Sequence, residues 1–170
     1  ASIAGYLDAP ILLSDKDELD EKLLSELGRL HAKNIYVLSG DKVISRKVKD
    51  QLKAKGYNLY DYSGQDRYET SSKIARFVNA DKQFILASGQ DFYDTPSISP
   101  YAYEKKIPIL LTKKNNMPNH TNDLVKKDSS ILAIGGNQTI ASDVYSQLSK
   151  KKVKVDKIAG KDRFDTSVKI

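Results

Sequence analysis

Residues 63–74 read SGQDRYETSSKI, and residues 159–170 read AGKDRFDTSVKI. From Gly64 and Gly160 onward, seven of eleven positions are identical, and Tyr68/Phe164 and Glu69/Asp165 are close substitutions. The likeness runs backward at the same spacing of 96 residues: 35–40 (IYVLSG) recurs as 131–136 (ILAIGG), and 43–45 (VIS) as 139–141 (TIA). At a spacing of 98, 10–13 (PILL) recurs as 108–111. Self-similarity of this period marks a repeat architecture. The chain therefore reads as the C-terminal part of one repeat (1–63), one complete repeat (64–159) and the start of a third (160–170).

The complete repeat alternates helical and strand patterns. Ile74, Ala75, Phe77 and Val78 give residues 67–79 a helical face. QFILAS at 83–88 is an apolar run without polar alternation, bounded by Asp81 and Gly89, as a buried strand requires. Further strands are predicted at 107–112 (IPILLT), 131–134 and 153–158 (VKVDKI). Helices are predicted at 95–105, with Pro96 in its first turn, and at 118–127 and 140–150. VKVDKI alternates in polarity and suits a sheet edge. Apolar strands separated by helices predict an α/β fold of tandem parallel-sheet modules, flavodoxin- or Rossmann-like. Sites in such sheets form at the carboxyl ends of the strands. Here those ends carry Ser39-Gly40, Ser88-Gly89, Gly135-Gly136, and Gly64 or Gly160.

The repeated Gly-x-Asp-Arg-aromatic-acid-Thr reads first as a helix entry. The glycine permits a tight turn. Asp66 and Glu69, and again Asp162 and Asp165, have the spacing of an N-cap with a reciprocal partner. Arg67 and Arg163 do not fit that reading, because a first-turn cation opposes the helix dipole. Each wants a partner: a carboxylate within or between modules, or an external anion held by guanidinium and helix-terminal amides. Two rival functions use the same residues. One is a nucleotide-binding or hydrolytic α/β enzyme built on the glycine loops, with Asp91 and Asp94 as its carboxylates; capping of a helix start accounts for that pair equally well. The other is a purely structural assembly module in which the arginines bridge repeats.

Composition excludes several classes. No apolar run approaches the ~18 residues of a membrane span. The chain has no cysteine, so disulfides, thiolate metal sites and cysteine nucleophiles are absent together. His31 and His120 read as surface residues, and no HExxH, Walker or GxSxG pattern occurs. No catalytic residue, metal or cofactor is expected. Residues 1–10 lack the basic flank and apolar core of a leader, so any secretion signal is expected outside these residues. The net charge of +6 is uneven: residues 1–63 carry ten basic and ten acidic side chains, residues 64–159 fifteen and ten. Such a surface favours an anionic partner.

The order GQDRYETSSKIA, a strand ending in SGQDF, PILLT, a strand ending in GG, and a strand leading to AG plus DR resembles the cell wall binding repeat type 2 family. The resemblance covers essentially the whole chain. It implies a non-catalytic anchor of three tandem α/β repeats around a pseudo-threefold axis, in surface and S-layer proteins of Gram-positive bacteria. Its implied partners are an anionic, teichoic-acid-like wall polysaccharide and other repeats, of the same protein or a neighbouring chain, with no nucleic acid and no membrane. The implied location is extracellular, in the cell wall or S-layer. The family's motif arginine falls on Arg67 and Arg163; Thr70, Thr166, Lys113 and Lys114 are expected beside them as polymer contacts, and Asp66, Glu69, Asp162 and Asp165 as caps. The Ile-Leu-Leu motifs at 11–13 and 109–111 are expected to pack in the core, with the loops after them reaching a ligand. The sequence departs from the family at Asp94-Thr95-Pro96 and at Ser39-Gly40.

Overall fold

The computed structural model describes residues 1–78, 82–91 and 93–170. The chain folds as two compact units, residues 10–66 and residues 1–9 with 67–170. The first helix, α1 (Ser2–Leu7), belongs to the larger unit.

The smaller unit contains α2 (Glu21–Arg29), β1 (Asn34–Val37), α3 (Arg46–Ala54) and β2 (Asn58–Asp61). Its strands are parallel, with Asn34 opposite Asn58 and Val37 opposite Asp61. Leu27, Val48 and Leu52 form its core, with Leu23, Ile35 and Leu59 packed around them. Asp20 caps α2 by accepting the Lys22 N–H at 3.0 Å.

The larger unit continues with α4 (Arg67–Val78), β3 (Gln83–Ser88), α5 (Asp94–Lys105), β4 (Ile109–Thr112), α6 (Asn119–Leu124), β5 (Ser130–Ile134), α7 (Ser142–Lys150), β6 (Lys154–Ile158) and α8 (Arg163–Lys169). Four parallel strands lie in the order β4-β3-β5-β6. β3 comes first in the chain yet lies inside the sheet. The polypeptide leaves it for β4 on one side, then returns to β5 on the other. That reversal makes the carboxyl ends of β3 and β5 a topological switch point.

The continuous apolar run of β3 now has its reason. Alternate side chains enter two cores: Phe84 and Leu86 join Leu110, Ile131, Val144 and Leu148 on one face, while Ile85 joins Ile98, Ala102 and Ile134 on the other. β6, with its alternating polarity, occupies the edge.

Element bounds shift where backbone chemistry intervenes. β4 starts at Ile109 rather than at 107, after Pro108, which has no N–H but whose carbonyl accepts from Ile85. α7 starts at Ser142, and Ile140, wholly buried, anchors the turn before it. α6 ends at Leu124. The expected end of α4 at Asn79 lies outside the described residues.

One expectation is overturned. Residues 11–13 were expected to pack in the core like 109–111, but among the described residues they form no strand, and Ile11 and Leu13 are 60% and 89% exposed. β4 is fixed by β3, through Ile109 opposite Ile85 and Thr112 opposite Ser88. The smaller unit's two-stranded sheet contains no counterpart of β3 to do the same for residues 10–13.

α1 packs against α4 and α5, and α8 packs against α5, so helices on successive repeats touch in the same way. The α1–α5 crossing is close because α1 presents Gly5. A Cβ built there meets the Tyr103 carbonyl oxygen at 2.1 Å, a backbone atom that cannot step aside. Gly5→Ala is therefore expected to destabilise the larger unit by about 1–3 kcal/mol, as overpacking does, although alanine is the better helix former. Urea unfolding of both proteins checks this; an unchanged or higher midpoint would exclude so tight a crossing.

Candidate functional site at the carboxyl ends of the sheet

The second copy of the motif shows what most of its residues do. The Asp162 carboxylate accepts the Asp165 N–H (2.8 Å), and the Asp165 carboxylate accepts the Lys161 N–H (2.8 Å). The Thr166 hydroxyl accepts the Gly160 N–H (2.9 Å) and donates to the Asp162 carbonyl (2.9 Å). This reciprocal cap folds the incoming loop over the start of α8. It also requires the glycine, since a Cβ at Gly160 meets the Thr166 nitrogen at 2.3 Å. Backbone bonding and the Lys169 ammonium hold the Asp165 carboxyl below its ordinary pKa. Thr166 is buried, with its hydroxyl engaged in this loop. In the first copy, Glu69 lies 3.3 Å from Lys73, and Thr70 is half-buried.

The two arginines are used differently. Arg67 donates to the Gly89 carbonyl at 2.7 Å, tying the start of α4 to the loop after β3. Tyr68 packs into the same place: a Cβ at Gly89 would meet its ring at 2.5 Å. Arg163 instead lies on the ring of Tyr93, 4.4 Å from its centroid, and 5.2 Å from that of Phe164. These are cation–π distances, and both rings are well exposed.

Three loops meet at the switch point. After β3, the Ser88 hydroxyl accepts the N–H groups of Gln90 and Asp91, both at 3.1 Å, curling the loop. After β4, Thr112 donates to the carbonyls of Lys113 and Asn116, which turns the chain outward. The loops are joined: the Lys114 N–H donates to the Gln90 side chain (2.8 Å), and the Lys114 carbonyl accepts the Ala141 N–H (2.8 Å) from the β5–α7 connection. The smaller unit repeats this last bond, from Ser45 to the Lys16 carbonyl at 2.9 Å. Lys113 and Lys114 are exposed; the ammonium of Lys113 is 5.7 Å from the Tyr68 centroid, and that of Lys114 reaches Gln138 at 3.5 Å. Structure thus gathers Arg67, Lys113 and Lys114 beside Gly89, Gln90 and Gln138 on one shallow, basic, amide-rich surface.

Asp91 and Asp94 flank this surface. Asp94 is the first residue of α5, and among the described residues no side chain caps that helix, so the expected capping role is corrected. Asp94 instead lies against Gly135 (φ 114°), where a Cβ would come within 2.8 Å of its carboxylate. Burial, then the charge of Asp91, push the Asp94 carboxyl up. Among the described residues no cluster of ligating side chains could hold a metal, and no helix is long and apolar enough to cross a membrane.

A cluster that single motifs did not disclose lies in the smaller unit. The Lys49 side chain, 8% exposed, sends its ammonium to Asp41 and Asp61, each at 2.8 Å. With Arg46, Asp50 and Lys53 they line a cavity of about 360 Å3. At the same repeat positions the larger unit has Asn137, Tyr145 and Lys157; the Lys157 ammonium donates to Asn137 (2.8 Å) and sits 5.0 Å from the Tyr145 centroid. The cation has moved from helix to strand, yet in both units it ties the loop after one strand to the next strand. Aligning the repeats position by position reveals this exchange. The bond from Lys49 holds the Asp41 carboxyl below its ordinary pKa. For Asp61, burial opposes ionisation, but bonds from Lys49 and the Ser63 N–H outweigh it.

Carboxylates depressed in the folded state add stability above the ordinary carboxylate pKa near ~4, and lose it as pH falls through the lowered values. Lys49→Met is expected to cost roughly 1–2 kcal/mol near neutral pH, given the exposure of both aspartates. The gap should close as pH falls through the lowered values of the two carboxylates. Urea midpoints of both proteins across pH test this, and a gap that persists in acid would assign the loss to packing.

The chain was compared with known proteins. Residues 62–145 match the family model described as cell wall binding domain 2 (CWB2). In Bacillus subtilis, the chain is 27% identical over 172 residues to N-acetylmuramoyl-L-alanine amidase LytC, covering all of this chain and 34% of that protein. It is 31% identical over 168 residues to the amidase enhancer, covering 99% of this chain and 23% of that protein. Two solved structures from Clostridium difficile superpose on it: Cwp6 with a TM-score of 0.86 at 32% identity, and Cwp8 with 0.89 at 31%. They cover 98% and 99% of this chain, which spans 28% and 30% of theirs. The chain thus spans about a quarter to a third of these relatives.

Proposed function

From the premise that this chain carries a cell wall binding domain 2 across residues 62–145, we propose that it is a non-catalytic module that anchors a surface protein to the bacterial cell wall. The observation that carries this reading is the family match, extended over nearly the whole chain by the likeness to Cwp6 and Cwp8. In the two Bacillus relatives the matching region is a minor part of a longer protein, as a targeting module would be.

The ligand in this reading is an anionic, teichoic-acid-like wall polymer. Its phosphates lie along the basic carboxyl-end loops, where Lys113, Lys114 and Arg163 are exposed. Arg67 holds the Gly89 loop in place through its carbonyl, and Thr70 and Thr166 belong to the two helix entries. The surface is shallow, so affinity comes from several weak contacts along a repeating polymer rather than from one deep pocket. The modules are 1–63, 64–159 and 160–170, and other repeats, of the same protein or a neighbouring chain, are the second partner. The place of action is the outer face of the cell, in the wall or S-layer.

Co-sedimentation with purified Gram-positive walls, before and after acid removal of wall polymers and across a salt series, tests the reading. Binding that falls with salt and disappears with the polymer is expected. Lys113→Glu and Lys114→Glu should each weaken it about two- to fivefold at low salt. Binding that is indifferent to salt or to polymer removal would reject the anionic ligand.

A further inference from the structure

The charge of the complete repeat is not shared evenly between the two ends of its sheet. In a parallel sheet every strand enters at one end and leaves at the other, so the amino ends of β3 to β6 form a face remote from the carboxyl-end loops. The segments leading into these strands are residues 81–82, 104–106, 126–128 and 150–154, and they carry nine basic side chains and three acidic. The remainder of residues 64–159 carries six basic and seven acidic. The basic excess of the repeat therefore lies at the amino end.

Sheet order sets these charges in a row: Lys105 and Lys106 before β4, Lys82 before β3, Lys126 and Lys127 before β5, and the lysines of 150–154 at the entry to β6. Neighbouring strands are about 4.8 Å apart, less than the Debye length of about 8 Å at physiological salt, so adjacent clusters act on a ligand together. Two of the lysines have partners within the fold: Lys151 donates to the Asn122 and Val125 carbonyls, and Lys154 lies 3.4 Å from Asp156. The other seven are exposed and make no ion pair among the described residues.

Backbone conformation gives these lysines a second peculiarity. Each of the four entries passes through one residue with positive φ, and none is glycine: Lys82 (61°), Lys106 (56°), Asp128 (66°) and Lys152 (56°). A left-handed residue with a side chain is disfavoured, whereas glycine adopts that conformation freely. The smaller unit makes the turn equivalent to Lys152 with Gly56 (φ 90°), so the fold itself does not require lysine there. Helix dipoles favour a cation in the last turn, which Lys105 and Lys150 already supply. Three lysines at left-handed positions point instead to a use for their charge outside the chain.

The row contains no arginine and no aromatic residue. It offers point charges without the planar fork that selects one bound geometry, and without the rings on which bases stack or that enter a lipid interface. Such a face suits a flexible chain of phosphodiesters with neither bases nor acyl tails. We propose that the amino end of the complete repeat is a second anion-binding face, which takes a linear polyol-phosphate chain through non-specific charge contacts. The inference rests on the anionic-polymer reading above and adds to it a face that Lys113 and Lys114 do not share.

Binding of labelled poly(glycerol phosphate) to the 170-residue chain, followed by fluorescence anisotropy across a salt series, tests it. Lys82→Gly, Lys106→Gly and Lys152→Gly combined should leave the urea midpoint unchanged or raise it, yet weaken binding roughly three- to tenfold at low salt and flatten its salt dependence. Lys82→Arg, Lys106→Arg and Lys152→Arg combined should bind as the wild type does. Unchanged affinity in the glycine variant would overturn the proposal; if Lys113→Glu and Lys114→Glu still weaken binding, the carboxyl-end reading survives that failure. Loss in the glycine variant alone would support this face and reject the carboxyl-end one. Random-sequence duplex DNA or anionic-lipid vesicles held more tightly than the polymer, through the same three lysines, would assign the face to another partner and overturn the proposal as well.

Discussion

The position of β3 inside its sheet is the constraint on which the larger unit depends. A strand that comes first and ends in the middle must be apolar on both faces, which Phe84 to Ala87 satisfy by serving two separate cores. At its carboxyl end the Ser88 hydroxyl accepts the N–H groups of Gln90 and Asp91, which curls the loop that follows. Arg67 and Tyr68 close over that loop, so the helix entry of a repeat is anchored to the strand that follows it. The smaller unit shows the same logic by contrast: β1 and β2 pair, but no described strand holds the Ile-Leu-Leu of residues 11–13, and these stay at the surface.

Much of this was legible in the sequence because the repeat is written twice. The alternation of helices and strands, the edge position of residues 153–158 and the capping by Asp162 and Asp165 follow from spacing and polarity alone. The misreadings have physical causes. PILL at 10–13 looks identical to PILL at 108–111, and only strand pairing, a non-local property, separates them. Asp91 and Asp94 have the spacing of caps, but Ser88 engages the backbone of the loop and leaves Asp94 to pack on Gly135. The different roles of Arg67 and Arg163 could not be read from one motif written twice, because Gly89 and Tyr93, which separate them, lie outside the motif.

The Lys49 and Lys157 clusters show how a repeat diverges without losing its geometry. The backbone task is constant: the loop after one strand must be held against the strand that follows. One unit does it with a buried ammonium between two carboxylates, the other with an exposed ammonium on an amide and an aromatic ring. A charge moved from helix to strand leaves the fold unchanged but alters the surface beside the carboxyl-end loops. The smaller unit carries mixed charge around Asp41 and Arg46, while the larger unit is basic around Lys113, Lys114 and Lys157. Tandem repeats that share one scaffold therefore need not present the same charge beside their carboxyl-end loops. The physical reason is local: the residues that fix the loops also lie at the surface beside them, so changing the brace changes the charge of that surface as well.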